Sequence, residues 1–133
     1  MDNIRIEGGD LSSLLDDLGV KAEAIVQAAS EQSAKKVAAK VARTLRASSP
    51  SGRSGKYRKG WKSKKLDHGE YVVYNESAPG LTHLLENGHD VMRNGMKVGR
   101  ASAHPHIQQA EQDGIKEFEE EVRKEVERRL SEV

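Results

Sequence analysis

His83, His89, His104 and His106 fall in one stretch with Glu86, and any metal or acid–base chemistry in this chain would have to be sought there. A zinc-protease helix needs two histidines four residues apart with a glutamate between them, and His83-Leu84-Leu85-Glu86 supplies only one. His104-Pro105-His106 sends its two rings in divergent directions in most backbone geometries. Structural hydrogen bonding is therefore the expected role of these histidines, and no metal site is expected. Ser48, Ser49, Ser51 and Ser54 show no Gly-x-Ser-x-Gly elbow that would aim a nucleophile. Ser51-Gly52-Arg53-Ser54-Gly55 lacks the lysine and following helix of a phosphate-binding loop. There is no cysteine, which removes thiol nucleophiles, thiolate metal sites and disulfides. The sequence thus points away from an enzyme, a cofactor and a small-molecule substrate.

Charge carries more information. From Lys35 to Lys65 there are twelve cations and no acid, although the net charge of the 133 residues is only +1. The compensating acid is concentrated from Glu111 to Glu132. Arg53, Lys56, Arg58, Lys59, Lys62, Lys64 and Lys65 form a candidate basic patch for an interface or for DNA, and Arg93, Lys97 and Arg100 mark a second basic segment. Opposite poles on one chain are complementary when copies join head to tail, so a homo-oligomeric ring is one reading. Nonspecific nucleic-acid binding is the alternative. Neutralising six phosphates would give a slope of about −5 against log salt. A period-two reading of Lys56 to Lys65 turns Tyr57 and Trp61 away from the cationic row, toward a core and not toward stacked bases.

The elements that would position these groups follow from periodicity. Asp10 caps a short helix through Leu11, Leu14, Leu15 and Leu18 that bends or breaks at Gly19. A long helix from Val20 to about Ala47 carries Ala24, Ala28, Ala34, Val37, Ala38, Val41, Ala42 and Leu45 as a narrow stripe of small residues, suited to close helix packing. Ser48 to Gly55 is a loop. A strand from Lys56 and a second at Glu70 to Asn75 pair across Asp67-His68-Gly69, a three-residue turn with glycine in the left-handed position. Leu81 to Gly88 is a short helix ended by glycine, with Leu81, Leu84 and Leu85 on its apolar side. Gly88 to Ala103 is expected as a flexible basic loop that extends an edge strand near Val98. Pro105 opens a last helix with Ile115, Phe118, Val122, Val126 and Leu130 as its stripe. The expected fold is one α+β domain over residues 1–133: long N- and C-terminal helices on a small antiparallel sheet, a hairpin with room for a third edge strand. With no membrane-length apolar run and no signal-peptide pattern, a reducing cytoplasm is the expected site of synthesis.

The order of these blocks resembles the minor tail or neck component family of long-tailed bacteriophages, the gene-ten-product type of lambdoid phages. The likeness rests on Ser54-Gly55-Lys56-Tyr57-Arg58-Lys59-Gly60-Trp61, Tyr71-Val72-Val73-Tyr74-Asn75, Leu81 to His89, Gly99-Arg100 and His104-Pro105-His106-Ile107. It implies a structural virion protein without catalytic activity that joins or completes the tail at the portal end. Its implied partners are copies of itself and neighbouring connector, tail-terminator or tail-tube proteins, with transient contact to DNA in the channel. Assembly in the host cytoplasm is implied, with no membrane partner. Gly55, Trp61, His83, Leu84, Glu86, Gly88, His104, Pro105 and His106 match the family pattern as structural positions, and His83 to Gly88 and His104 to Ile107 are expected to anchor the loop between them.

Overall fold

The computed structural model describes residues 3–6, 23–52 and 54–132. Its elements are β1 (Ile4–Ile6), α1 (Glu23–Ser48), α2 (Lys56–Lys59), β2 (Trp61–Lys65), β3 (Tyr71–Asn75), α3 (Thr82–Asn87), β4 (His89–Arg93), β5 (Met96–Ala101) and α4 (Ile107–Ser131). The α+β class agrees with the sequence expectation. The helix expected from Asp10 to Leu18, with its bend at Gly19, lies outside the described residues.

Helix α1 contains no internal glycine or proline, and Pro50 bars its continuation, so its last amide bond runs from Ser49 N to Leu45 O at 2.9 Å. Its buried positions recur every three or four residues, from Val26 through Ala34, Val37, Ala38 and Val41 to Leu45. One side of α1 covers the sheet, and another receives α4. The sheet is antiparallel in the order β1-β3-β2, with Ile4 opposite Val73 and Trp61 opposite Asn75. The third strand thus comes from the N-terminus, not from near Val98. Ile4 and Ile6 are buried while Arg5 between them is exposed, the alternation of a half-buried edge strand.

Residues 56–59 form a helical turn instead of continuing the strand. Asn75 and Gly60 fix this: Asn75 Nδ2 donates to Tyr57 O at 2.7 Å, and Gly60 N donates to the same oxygen at 3.1 Å. A Cβ on Gly60 would lie 2.7 Å from Asn75 Oδ1, so glycine is required there. The turn after β2 holds as expected, with Gly69 at φ 75° and His68 also left-handed at φ 60°.

Helix α4 begins at Ile107, two residues after Pro105, and lies antiparallel to α1. Its buried line is Ile107, Ala110, Gly114, Phe118, Val122 and Val126. Ile115 and Leu130, placed on this stripe by spacing, are 47% and 38% exposed and point out of it. The line turns at Gly114, where an added Cβ would lie 2.8 Å from Val41 Cγ2. Gly114→Ala therefore sets an overpacking cost of about 1–3 kcal/mol against a helix-propensity gain of about 1 kcal/mol. Urea denaturation should show net destabilisation in the native background. Combined with Val41→Ala, which removes the clashing methyl, the same substitution should become stabilising.

Candidate functional site

The segment from Gly88 to Ala103 is a β-hairpin, not an unstructured loop. Strands β4 and β5 pair in antiparallel register from His89 opposite Ala101 to Arg93 opposite Met96, with an irregularity between Val91 and Met92. Asn94 and Gly95 sit at φ 52° and 77°, the double left-handed turn that matches strand twist. The hairpin packs chiefly on itself. Residues 90–100 are all exposed, including Val91, Met92, Met96 and Val98 at 40%, 58%, 70% and 56%. Its cations are partly engaged: Lys97 Nζ lies 3.4 Å and Arg100 Nη1 3.2 Å from Asp90 Oδ1. Arg93 is exposed beside the turn.

The root of this hairpin is rigid. Glu86, on α3, accepts three backbone hydrogen bonds from the first turn of α4: His106 N at 2.7 Å and Ile107 N at 2.8 Å on Oε1, and Gln108 N at 3.0 Å on Oε2. Helix N-termini leave such amides without intrahelical partners, and a carboxylate there also meets the positive end of the helix dipole. Burial alone would raise the Glu86 pKa, but the amide bonds of Ile107, His106 and Gln108 outweigh it, leaving the carboxyl below its ordinary 4.5. His104 N donates to Leu85 O at 2.7 Å, and Arg100 Nη2 donates to Asn87 O at 3.2 Å. Gly88 closes the base at φ 73°, where a Cβ would fall 2.7 Å from Ala101 O. Leu85, Glu86 and Gly88 on one side and His104, His106 and Ile107 on the other thus meet at the base of the hairpin.

The histidines divide between surface and interior. His104 is exposed and His106 buried. Both groups near His106 Nδ1 are acceptors, His104 O at 2.5 Å and Glu86 Oε1 at 3.1 Å, so the geometry puts the ring proton there. Nε2 then accepts from the Tyr57 hydroxyl at 2.6 Å. The Tyr57 ring meets Trp61 edge-on at 5.7 Å, and Trp61 Nε1 donates to Ser49 Oγ at 2.8 Å. This buried set ties the hairpin root to the sheet and to the residues after α1. His83 sits on the surface with Asn87 Nδ2 at 3.1 Å from its Nδ1. His89 Nδ1 is buried without a hydrogen-bond partner. Among the described residues no group of three or more His, Asp or Glu is placed to hold a metal ion. Leu84 is half-buried on α3 and Pro105 is exposed ahead of α4.

Much of the first basic patch is engaged within the chain. Lys62 pairs with Glu76 at 2.9 Å and Lys65 with Glu31 at 2.5 Å, and these carboxylates hold both ammonium groups above the ordinary 10.5. Lys64 lies over the Tyr74 ring at 4.9 Å, and Arg58 Nε donates to Ser49 O at 2.9 Å. Lys56 and Lys59 are exposed on α2, after Gly55 at φ 70°. Arg53 lies outside the described residues. The bare cationic face that Lys62 and Lys64 were expected to show is therefore matched within the chain. The same holds on α1, where Lys36 reaches Glu121 at 3.0 Å and Lys40 pairs with Glu117.

Among the described residues no helix is long and apolar enough to cross a membrane. Residues 10–88 match the family described as "Bacteriophage HK97-gp10, putative tail-component", a range that stops where the hairpin begins. No curated protein matches the chain, and no solved structure matches it.

Glu86→Ala should cost about 1–3 kcal/mol by leaving amides of the α4 first turn unsatisfied, with faster hydrogen exchange at Ile107 and Gln108 than in the middle of α1. Because folding lowers the Glu86 pKa, its stabilisation is present above pH 4.5 and is lost as pH falls through the folded value. Urea titrations across that range should show a flatter acid limb for Glu86→Gln than for the native chain.

Proposed function

Because the chain belongs to the HK97 gp10-like family of phage tail components, we propose that this structural protein acts at the head–tail connector. It joins or completes the tail at the portal end, as a ring of copies set between connector proteins and the tail terminator or tail tube. Its place is the virion, after assembly in the host cytoplasm. The observation that carries this reading is the hairpin: a projecting, apolar and basic arm on a root held by Glu86, Gly88 and the Tyr57–His106 bond. An arm with four exposed large apolar side chains is suited to burial against a neighbour, since exposed apolar clusters mark interaction sites. The reading assigns no reaction to any residue. Nonspecific nucleic-acid binding would draw on Arg53, Lys56, Arg58, Lys62 and Lys64, of which Arg58, Lys62 and Lys64 are already engaged within the chain.

Replacing Met92–Val98 by Asn-Gly keeps a two-residue turn between the paired Val91 and Gly99 and removes the arm's end. In a phage whose own copy is deleted, complementation with this variant should give filled heads and separate tails by electron microscopy. The purified variant should unfold at nearly the native urea midpoint. Joined, infectious particles from that variant would refute the connector role of the hairpin.

A further inference from the structure

The sequence contains two Asn-Gly dipeptides, and both belong to the hairpin: Asn87-Gly88 at its base and Asn94-Gly95 at its tip. An asparagine before glycine is open to internal attack, because the next backbone nitrogen can reach the side-chain carbonyl carbon and glycine has no side chain to hinder it. Sequence alone makes the two equivalent. Both asparagines are exposed, so accessibility does not separate them either.

What separates them is how each is held. Asn87 ends α3; its Nδ2 lies 3.1 Å from His83 Nδ1 and donates to His83 O at 3.3 Å, and its carbonyl accepts from Arg100 Nη2 at 3.2 Å. Gly88 is enclosed, with Ala101 O and Ala103 N at 2.7 and 3.0 Å from where a Cβ would stand. The tip is not restrained in this way. Among the described residues no hydrogen bond holds the Asn94 carboxamide, and a Cβ on Gly95 would meet no atom within 4 Å. The turn is closed by Arg93 opposite Met96, which leaves the Gly95 N–H to solvent. A two-stranded hairpin is marginal without cover, so its end opens without unfolding of the body.

We infer that Asn94 is a site of spontaneous deamidation in the free subunit, while the fold protects Asn87. The Gly95 nitrogen gives its proton to a solvent base and bonds to Asn94 Cγ. The Cγ–Nδ2 bond breaks, and Nδ2 takes a proton from solvent and leaves as ammonia, so that a cyclic imide remains. Water then opens the imide at Cγ, giving aspartate, or at the main-chain carbonyl carbon, giving isoaspartate with the chain routed through the side chain. No step changes an oxidation state. Three cations and one acid give residues 89–101 a net charge of +2, and either product lowers it to +1 with a carboxylate between Arg93 and Lys97. Aspartate before glycine suits the same left-handed turn, so that product keeps the register. Isoaspartate adds a backbone atom to a two-residue turn and disturbs the pairing of Arg93 with Met96.

The test incubates the native chain in mildly alkaline buffer, folded and in parallel unfolded in urea, and digests it after lysine. Residues 66–97 then form one peptide holding both asparagines, and fragmentation in the mass spectrometer assigns each carboxamide-to-carboxylate gain. In the folded chain Asn94 should convert at least about tenfold faster than Asn87, because only its opening is local. In urea the two rates should come within a few-fold of each other. Asn94→Gln, whose longer side chain closes the ring far more slowly, should lose the conversion at that position and keep the native urea midpoint. Equal rates at the two asparagines of the folded chain overturn the protection of Asn87. An Asn94 that converts only in urea is shielded by its turn, which overturns the site, and undiminished conversion in Asn94→Gln overturns the imide route. None of these readouts needs a second copy or a partner, so they are independent of the connector reading.

Discussion

One carboxylate organises the half of the molecule that carries the β4–β5 hairpin. Glu86 stands on a helix of only six residues, yet its two oxygens take three amides from the start of a helix of twenty-five. A helix N-terminus left without acceptors would hydrate or fray, and the chain entering it would have no fixed direction. With Glu86 in place, α3 and α4 become one frame, and the segment between them must leave and return through a gap set by Gly88 and the His104–Leu85 bond. His106 extends this frame inward, because its ring bridges the Glu86 carboxylate and the Tyr57 hydroxyl. Tyr57, Trp61 and Ser49 then carry the connection to the sheet and to the end of α1.

The segregated charge has a largely internal explanation. Lys36 and Lys40 are four residues apart on α1, and Glu117 and Glu121 are four apart on α4; antiparallel packing places each lysine on a glutamate. At Arg129, Nη2 donates to Gln32 and Nε to Glu125, continuing the same seam. These pairs are exposed, so each contributes little to stability, but together they favour one orientation of the two helices. What began as two poles for other molecules is in good part a seam within this one.

How far the sequence was legible depends on the range of the interactions concerned. The stripe on α1 and the Val122 and Val126 positions on α4 follow from spacing alone, since burial there has helical period. The burial of Tyr57 and Trp61 was also legible, although the strand assigned to Tyr57 was wrong: Lys56 to Lys59 has no decisive local preference, and the contact that bends it comes from Asn75. The role of Glu86 depends on amides twenty to twenty-two residues away, beyond any local pattern. Two further features are local. Asn94-Gly95 is the strongest short hairpin turn, hidden among glycines and cations that read as loop. The matched four-residue spacings of Lys36 with Lys40 and Glu117 with Glu121 announce an antiparallel seam. Ile4–Ile6 is too short for alternation to identify a strand.

The irregularity at Val91 has a consequence for how such an arm can change length. In a strand pair, a one-residue slip exchanges the two faces, so a single insertion beyond the bulge would swap outward and inward side chains along the arm's far end. Adding two residues to each strand preserves every face and lengthens the arm by about 7 Å, at roughly 3.4 Å per residue. Most of the bonds that fix the base, at Leu85, Glu86, Gly88, His104 and His106, belong to residues outside the strands. The body is thus a socket indifferent to the reach of what it holds, and the arm can lengthen or shorten without refolding the rest of the chain.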